Sequence, residues 1–393
     1  MSLQGMTVGV VFGSRSVEHE ISIITACQVM PVLQELGAEV VPLYITKSGK
    51  WLTKPSFQDL NIFRAGLPEE GEPVLLDLAT GRFRAGSSAR LSRPRELAID
   101  VLFPVLHGTF GEDGTLAGLA SLARVPQVGS DSLSGALAMD KLRSKELFQA
   151  LGLPVLPGWA ATSVGQAREA AAQVGFPVVV KPNRGGSSIG VGLASDQLEL
   201  DRAVEVALEF DQQLILERAV PGAVDLNCAV KRLPPRASEV ERPHKGSGLL
   251  SYADKYSHQG KLGEGGMAAK SDSPKAGYGD PRRELPALIS PALRAEVQRL
   301  AVLAFDGLGC AGTARVDFLL SEAGDPSLEA GDLFLNEVNT IPGSLAFHLW
   351  EASGVTFAAL LEELVRGALA GSLPRRVSLA GNLLAAHQLL GKR

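Results

Sequence analysis

Two alternating pairs near the end of the chain place a guanidinium and oxygen ligands at a spacing that can do chemistry. Arg315 and Asp317 stand two apart in ARVDF, and Glu337 and Asn339 stand two apart in NEVN. Side chains alternate faces along a strand, so each pair projects from one face. On neighbouring strands, the guanidinium and the oxygen ligands would converge on a single patch. Two carboxylates and an amide oxygen suit a hard cation such as Mg²⁺, with phosphate oxygens completing its shell. Taken alone, either pair is more simply an Arg–Asp salt bridge or a polar strand end facing solvent. The apolar flanks Phe318-Leu319-Leu320 and Leu333-Phe334-Leu335 weigh against that, because charges embedded there must be paired or bound.

Other segments carry anion-binding groups. In Pro177 to Gly192, PVVVKPNRGGSSIGVG, a strand-like run ends near Lys181 and continues into glycine and serine. Glycines let a backbone wrap a phosphate, Ser187 and Ser188 add hydroxyl donors, and Lys181 reaches a phosphate as a point charge. The glycines are not followed by the Lys and Ser/Thr of a P-loop, and Gly190-Val191-Gly192 lacks the spacing of a dinucleotide fingerprint. A plain hairpin turn is the commoner meaning of such glycines. His107 to Gly118, HGTFGEDGTLAG, suits a loop opening a helix whose N-terminus binds anions. His107 by itself is more often a turn or core histidine. Ser16-Val17-Glu18-His19-Glu20 occupies a strand-to-helix turn, where open α/β sheets bind ligands. Ordinary first-turn acidity would account for one of its glutamates. Tyr252-Ala253-Asp254-Lys255-Tyr256 reads either as a lid or as a surface strand with packed aromatics.

The elements that must position these groups follow from hydrophobic periodicity. Val8 to Phe12 predicts a strand, Ile21 to Leu36 a helix closed by Gly37, and Val40 to Ile45 a second strand. That βαβ unit implies a parallel sheet. Lys47 to Pro94, rich in Gly, Pro and charge, is expected to be a surface insertion. Ile99 to Leu106 resumes the sheet, and Gly129-Ser130 is the expected hinge. Helices are expected at Lys141 to Leu151 and Pro291 to Leu308. Strands are expected at Phe176 to Lys181, Leu214 to Leu216, Leu226 to Val230, Arg315 to Leu320 and Leu333 to Val338. Ser257 to Asp280 reads as a long mobile loop.

The chain has 393 residues, 45% hydrophobic and 21% charged, which suggests two or three packed domains and excludes a disordered polymer. A membrane-spanning run of about eighteen apolar residues is absent, and the N-terminus does not read as a signal peptide. A net charge of −5 without a basic stripe argues against nucleic acid as a partner. Cys27, Cys228 and Cys310 are far apart and fit buried thiols in a reducing cytoplasm.

In order, GSRSVEHE, HGTFGEDG, MDKLRSK, VKPNRGGSSIG, SYADKY, ARVDF and NEVNTIPG resemble the D-alanine–D-alanine ligase family of the ATP-grasp superfamily, from about Val8 to Val365. The resemblance implies an α/β, three-domain ATP-grasp fold. An N-terminal parallel-sheet domain (1–129) precedes two α+β subdomains (130–216 and 217–393) that sandwich ATP. It also implies an activity: phosphorylation of one D-alanine carboxylate by ATP, then attack by the amine of a second D-alanine, for peptidoglycan synthesis. By the same resemblance, Asp317, Glu337 and Asn339 hold two Mg²⁺ or Mn²⁺ ions, while Lys141, Lys181, Ser188 and Lys255 meet the phosphates. Glu217 meets adenine and Asp225 the ribose. Glu18, Ser187 and Tyr256 form a linked set at the first substrate's ammonium, with His107 beside its carboxylate. Arg315 and the Gly343 N–H stabilise the tetrahedral oxyanion. A homodimer in the cytoplasm is implied.

The sequence departs from the family at Ser14, at an extra residue near Ala223-Val224, and at His348, where a serine usually binds the second substrate's carboxylate. Ser344, His348 and Leu349 are therefore the candidates there. Tyr256 favours an amine acceptor. The rival readings are a ligase of the same fold using D-lactate, D-serine or another acceptor, and a non-catalytic ATP-binding protein.

Overall fold

The computed structural model describes residues 3–86, 94–232, 235–244, 283–321 and 332–371. Tyr252 to Tyr256 with Lys255, the Ser257 to Asp280 segment and the tail after Pro374 lie outside the described residues.

Three sheets carry the fold. In the first, β1 (Thr7–Gly13) lies between β2 (Glu39–Ile45) and β7 (Val101–Pro104), parallel to both. Every residue of β1 from Val8 onward is buried, as a strand covered on both faces requires. Helix α1 (His19–Glu35) makes the crossover, and Gly37 (φ +89°) turns the chain towards β2.

The stretch Lys47 to Pro94 is not a surface insertion but part of this sheet. It adds β3 (Trp51–Thr53), helix α2 (Leu60–Arg64), β4 (Glu72–Asp77), β5 (Arg82–Ala85) and, just beyond, β6 (Arg95–Leu97). These strands pair antiparallel in succession outward from β2. Val74, Phe83, Ala85 and Leu97 face inward and share a core with Val11, Leu43 and Leu106, closed by helix α3 (Thr115–Ala123). Outward-facing charges pair across the strands, as in Arg82–Glu96 and Arg84–Asp77. Strands this short, with charge on alternate residues, leave little hydrophobic signal.

Beyond Gly129, helices α4 (Ser132–Met139) and α5 (Lys141–Ala150) are N-capped by the carboxylates of Asp131 and Asp140. The second sheet holds β8 (Gly158–Ala161), β9 (Val178–Pro182), β10 (Gly192–Ala194) and β11 (Leu214–Arg218), in the order β10-β9-β11-β8. Helices α6 (Val164–Val174) and α7 (Gln197–Leu208) bury Ala167, Ala171, Leu200 and Val204 against it.

The third sheet is antiparallel, in the order β14-β13-β12-β15-β16. Its strands are β12 (Val224–Lys231), β13 (Arg236–Pro243), β14 (Arg283–Glu284), β15 (Thr313–Leu320) and β16 (Leu333–Asn339). Helix α8 (Pro291–Gly307) backs it, joined in one core by Ala138 and Phe148 of the preceding helices. The described chain ends in α9 (Phe347–Ala352) and α10 (Phe357–Ala370). Leu360, Leu361 and Leu364 of α10 pack with Val29 and Leu33 of α1, so the last helix returns to the first sheet. Among the described residues no single helix is long and apolar enough to cross a membrane.

Phe83 is 1% exposed within the first sheet's core. Phe83→Ala is expected to cost about 3–5 kcal/mol in urea unfolding. A loss below about 1 kcal/mol, the size of a surface substitution, would mean that β3 to β6 are not integral to the sheet.

Candidate active site

The β15–β16 pairing sets Arg315 opposite Asn339 and Asp317 opposite Glu337. All four side chains therefore leave one face at one end of the sheet. Arg315 grips Asp317 with two parallel hydrogen bonds, Nε to Oδ1 at 2.6 Å and Nη2 to Oδ2 at 2.7 Å. Asn339 Nδ2 also donates to Asp317 Oδ2, at 3.0 Å. Lys141 Nζ lies 3.3 Å from Glu337 Oε2 and donates to the Gly185 carbonyl at 2.6 Å. Among the described residues no three His, Cys, Asp or Glu side chains cluster as a metal site. The third oxygen of this patch is instead the Asn339 amide. Asp317, Glu337 and Asn339 are an all-oxygen donor set, and that chemistry fits Mg²⁺ or Mn²⁺.

A cavity of about 480 Å³ opens beside this patch, lined from both antiparallel sheets. Lys141, Lys181, Ser188, Glu217, Asp225, Arg315, Asp317 and Glu337 all line it. Leu156, Val179, Leu193 and Leu319 give it apolar walls. Such a mixture suits a ligand with a flat apolar part and a polyanionic tail. Lys181 faces Ile215 in the β9–β11 register, two residues from Glu217 on the same face of β11. Lys181 Nζ donates to Glu217 Oε2 at 2.6 Å and to Asn336 Oδ1 at 3.2 Å. A second lysine, Lys145, lies 2.9 Å from Glu217 Oε1. Burial opposes the charge on Glu217, but the two ammonium groups outweigh it and pull the carboxyl down to about 2.

The loop from Pro182 to Gly192 joins this cavity to a second cluster. Asn183 fastens the loop to the start of α5, its carbonyl accepting from Lys141 N and its Oδ1 from Leu142 N. Ser187 and Ser188 both hold left-handed backbone (φ +52° and +58°), a conformation costly for non-glycine residues. The strain aims Ser187 Oγ at Glu18 Oε1, to which it donates, while Ser188 lines the cavity. Glu18 is 5% exposed. A Cβ on Gly186 would stand 2.6 Å from Glu18 Oε2, and one on Gly108 2.5 Å. Gly108 also holds left-handed backbone (φ +71°), which favours glycine, and a methyl at 186 would have to displace the Glu18 carboxylate.

His107 lies in the same region. Its Nδ1 is 2.7 Å from the Ile341 carbonyl, and its Nε2 is 3.0 Å from Thr25 Oγ1. A carbonyl only accepts, which assigns the proton to Nδ1. Burial pulls His107 down to about 4, so the ring is neutral at pH 7. Glu112 accepts from Gly108 N at 3.0 Å and from Ile341 N at 2.8 Å, tying the HGTFGEDG loop to NTIPG. Desolvation, with Glu18 nearby, pushes the Glu112 carboxyl up to about 8. Ser344 N donates to Thr25 Oγ1 at 3.2 Å.

After Gly343 the chain makes a left-handed turn, with Ser344, Leu345 and Ala346 all at φ near +50°. The turn carries His348 to Glu241, Nε2 to Oε2 at 2.8 Å. Arg283 Nη1 and Asn227 Nδ2 complete the shell of Glu241, at 3.1 and 3.0 Å. Leu349 is fully buried beside Trp350, which commits its side chain to packing. Lys145, Glu112, Thr25, Asn336 and Glu241 were not singled out in the sequence. Only the first two leave a signal there: the Lys141–Lys145 spacing in MDKLRSK, and the acidic pair in GEDG.

The neutral imidazole has a thermodynamic consequence. A histidine near 4 when folded and about 6.5 when unfolded stabilises the fold fully above pH 6.5, and this is lost as pH falls through about 4. The stability difference between the wild type and His107→Gln should therefore narrow by about 3 kcal/mol between pH 7 and pH 4. Urea unfolding at both pH values measures it, and a constant difference would mean that the imidazole is not held neutral.

These features agree with comparisons to known proteins. The D-ala D-ala ligase N-terminus matches residues 7–130, and the D-ala D-ala ligase C-terminus matches residues 147–366. The D-alanine–D-alanine ligase of Mycolicibacterium paratuberculosis is 38% identical over 388 residues, covering 93% of this chain and 97% of that protein. That of Thermosipho melanesiensis is 32% identical over 365 residues, 92% of each. Among solved structures, the VanG D-Ala:D-Ser ligase from Enterococcus faecalis aligns with a TM-score of 0.73 at 29% identity, over 93% of this chain and all of that one. The D-alanine–D-alanine ligase from Coxiella burnetii shares the fold, with a TM-score of 0.72 at 24% identity over 98% of each chain. One sheet with a parallel centre and two antiparallel sheets around a common cavity is the ATP-grasp arrangement expected from the motifs. The chain belongs to the D-alanine–D-alanine ligase family, whose members are ADP-forming, ATP-dependent ligases.

Proposed function

We propose that the protein joins two D-alanine molecules into D-alanyl-D-alanine at the expense of ATP, supplying a precursor of bacterial cell-wall peptidoglycan. The observation that carries this reading is the loop Pro182 to Gly192. Adjacent serines on it serve both centres, Ser187 on Glu18 and Ser188 in the lysine-lined cavity. One turn thus sets an amino-acid site against a phosphate site, as transfer between them requires.

ATP occupies the cavity, with adenine near Glu217, ribose near Asp225, and phosphates on Lys141, Lys181 and Ser188. Asp317, Glu337 and Asn339 would hold two Mg²⁺ or Mn²⁺ ions, which neutralise phosphate charge when bound. Glu18 receives the ammonium of the first D-alanine, and neutral His107 lies near its carboxylate. A carboxylate oxygen attacks the γ-phosphorus and ADP leaves. The amine of the second D-alanine then attacks the acyl carbon, and inorganic phosphate leaves. Arg315 and the Gly343 N–H stabilise the oxyanion formed between these events. By resemblance to the family, Tyr256 would join the Glu18–Ser187 set and Lys255 the cations at the phosphates; both lie outside the described residues. The reading extends to a homodimeric cytoplasmic enzyme, in keeping with three free thiols that are buried or partly buried.

A second reading concerns only the acceptor. His348 stands where a serine usually meets the second substrate, and here it is paired with Glu241. The solved ligase from Enterococcus faecalis is named for D-serine.

The test is phosphate release from ATP and Mg²⁺, with and without D-alanine, followed by mass analysis with D-alanine, D-serine or D-lactate as acceptor. D-alanine-dependent release yielding the dipeptide is expected. A clear preference for D-lactate or D-serine would move the assignment to the second reading, and no release with any D-amino acid would overturn ligation altogether. Glu337→Gln is expected to lower product formation about a hundredfold or more, and unchanged activity would mean that the metal site is misplaced.

A further inference from the structure

Glu217 is the most deeply buried carboxylate in the cavity wall, and it holds two lysines whose surroundings differ. Lys181 Nζ sits on Oε2, its side chain 13% exposed, and it lines the cavity. Lys145 sits on Oε1, its side chain 4% exposed, and it does not line the cavity. Lys145 Nζ is anchored on its other side by the Leu156 carbonyl at 3.2 Å. Its stem runs close to Gly158 of β8, where a Cβ would stand 3.5 Å from Lys145 Cδ. The cavity-side lysine has room to turn and the rear one does not.

A polyphosphate entering the cavity attracts Lys181. If Lys181 were the only cation on Glu217, that move would leave a buried carboxylate uncompensated, which is strongly unfavourable. Nucleotide binding would then have to offset the loss. With Lys145 fixed behind, Glu217 keeps a cation whichever way Lys181 points.

We propose that Lys145 is a positioning residue for nucleotide binding: held behind Glu217, it keeps that carboxylate compensated and so releases Lys181 to the phosphates. The proposal rests on the reading of the cavity as the ATP site, and it adds a role for a residue that touches neither substrate nor nucleotide. Burial, with Lys181 nearby, disfavours the charge on Lys145, and Glu217, backed by Glu337, favours it.

The experiment is calorimetric binding of ADP with Mg²⁺, without D-alanine, to the wild type, Lys145→Met, Lys145→Arg, Glu217→Gln and the double variant E217Q/K145M, with steady-state kinetics alongside. Lys145→Met should weaken ADP binding and raise the KM for ATP about tenfold, the worth of a charge-assisted hydrogen bond. Its kcat and its KM for D-alanine should stay within about twofold, and Lys145→Arg should recover most of the affinity. In the Glu217→Gln background no carboxylate needs compensating, so adding Lys145→Met should cost less than about twofold. That double variant removes the rear lysine together with the carboxylate it compensates, and keeps the test available should Lys145→Met fail to fold. A full tenfold loss on adding Lys145→Met to Glu217→Gln, or a loss spread equally over ATP, D-alanine and kcat, would overturn the proposal. Wild-type protein that binds no ADP would overturn the assignment of the cavity instead.

Discussion

Charges removed from water must be compensated in place, and in this protein that demand ties the sheets to one another. Glu18, Glu217 and Glu241 are each at most 5% exposed, and each is met by groups from other segments. Glu18 lies at the first strand-to-helix turn and receives Ser187 from the second sheet's loop. Glu217 gathers α5 and β9 onto β11, and Glu241 gathers β12, β14 and α9 onto β13. The acidic groups that a ligand would meet are thus also contacts that hold the frame in register. Their pairing costs solvation and returns position.

This bears on how much could be read in advance. The β15–β16 patch is legible because strand periodicity forces residues two apart onto one face, leaving only adjacency to be supplied. The parallel centre of the first sheet is legible for a similar reason, since strands covered on both faces read as unbroken apolar runs. Lys47 to Pro94 is not legible: its strands are short, and many of their residues are charges that answer one another across the outer face. Lys145 is only faintly marked, for another reason. Its partner Glu217 is far along the chain, and the Lys141–Lys145 spacing alone does not distinguish a buried lysine from a solvated one on an amphipathic helix.

The two parts of the site differ in how firmly they are built. In the cavity, lysines and carboxylates already neutralise one another, so a ligand would exchange partners within an existing set. Around Glu18, Gly108 and Gly186 bring backbone close to the carboxylate, Ser187 donates to it, and His107 is bonded to Thr25. The first arrangement tolerates rearrangement of long side chains. The second is held by left-handed backbone at Gly108, Ser187 and Ser188.

The return of α10 to α1 also orders events during synthesis. The face of α1 bearing Val29 and Leu33 is completed by Leu360, Leu361 and Leu364. More than three hundred residues separate the two helices in sequence. At a translation rate of about 5–20 residues per second, that face waits roughly 15 to 60 s for its cover. The nascent first sheet therefore leaves the ribosome with an apolar stripe unsealed, a surface open to non-native contacts until α10 emerges.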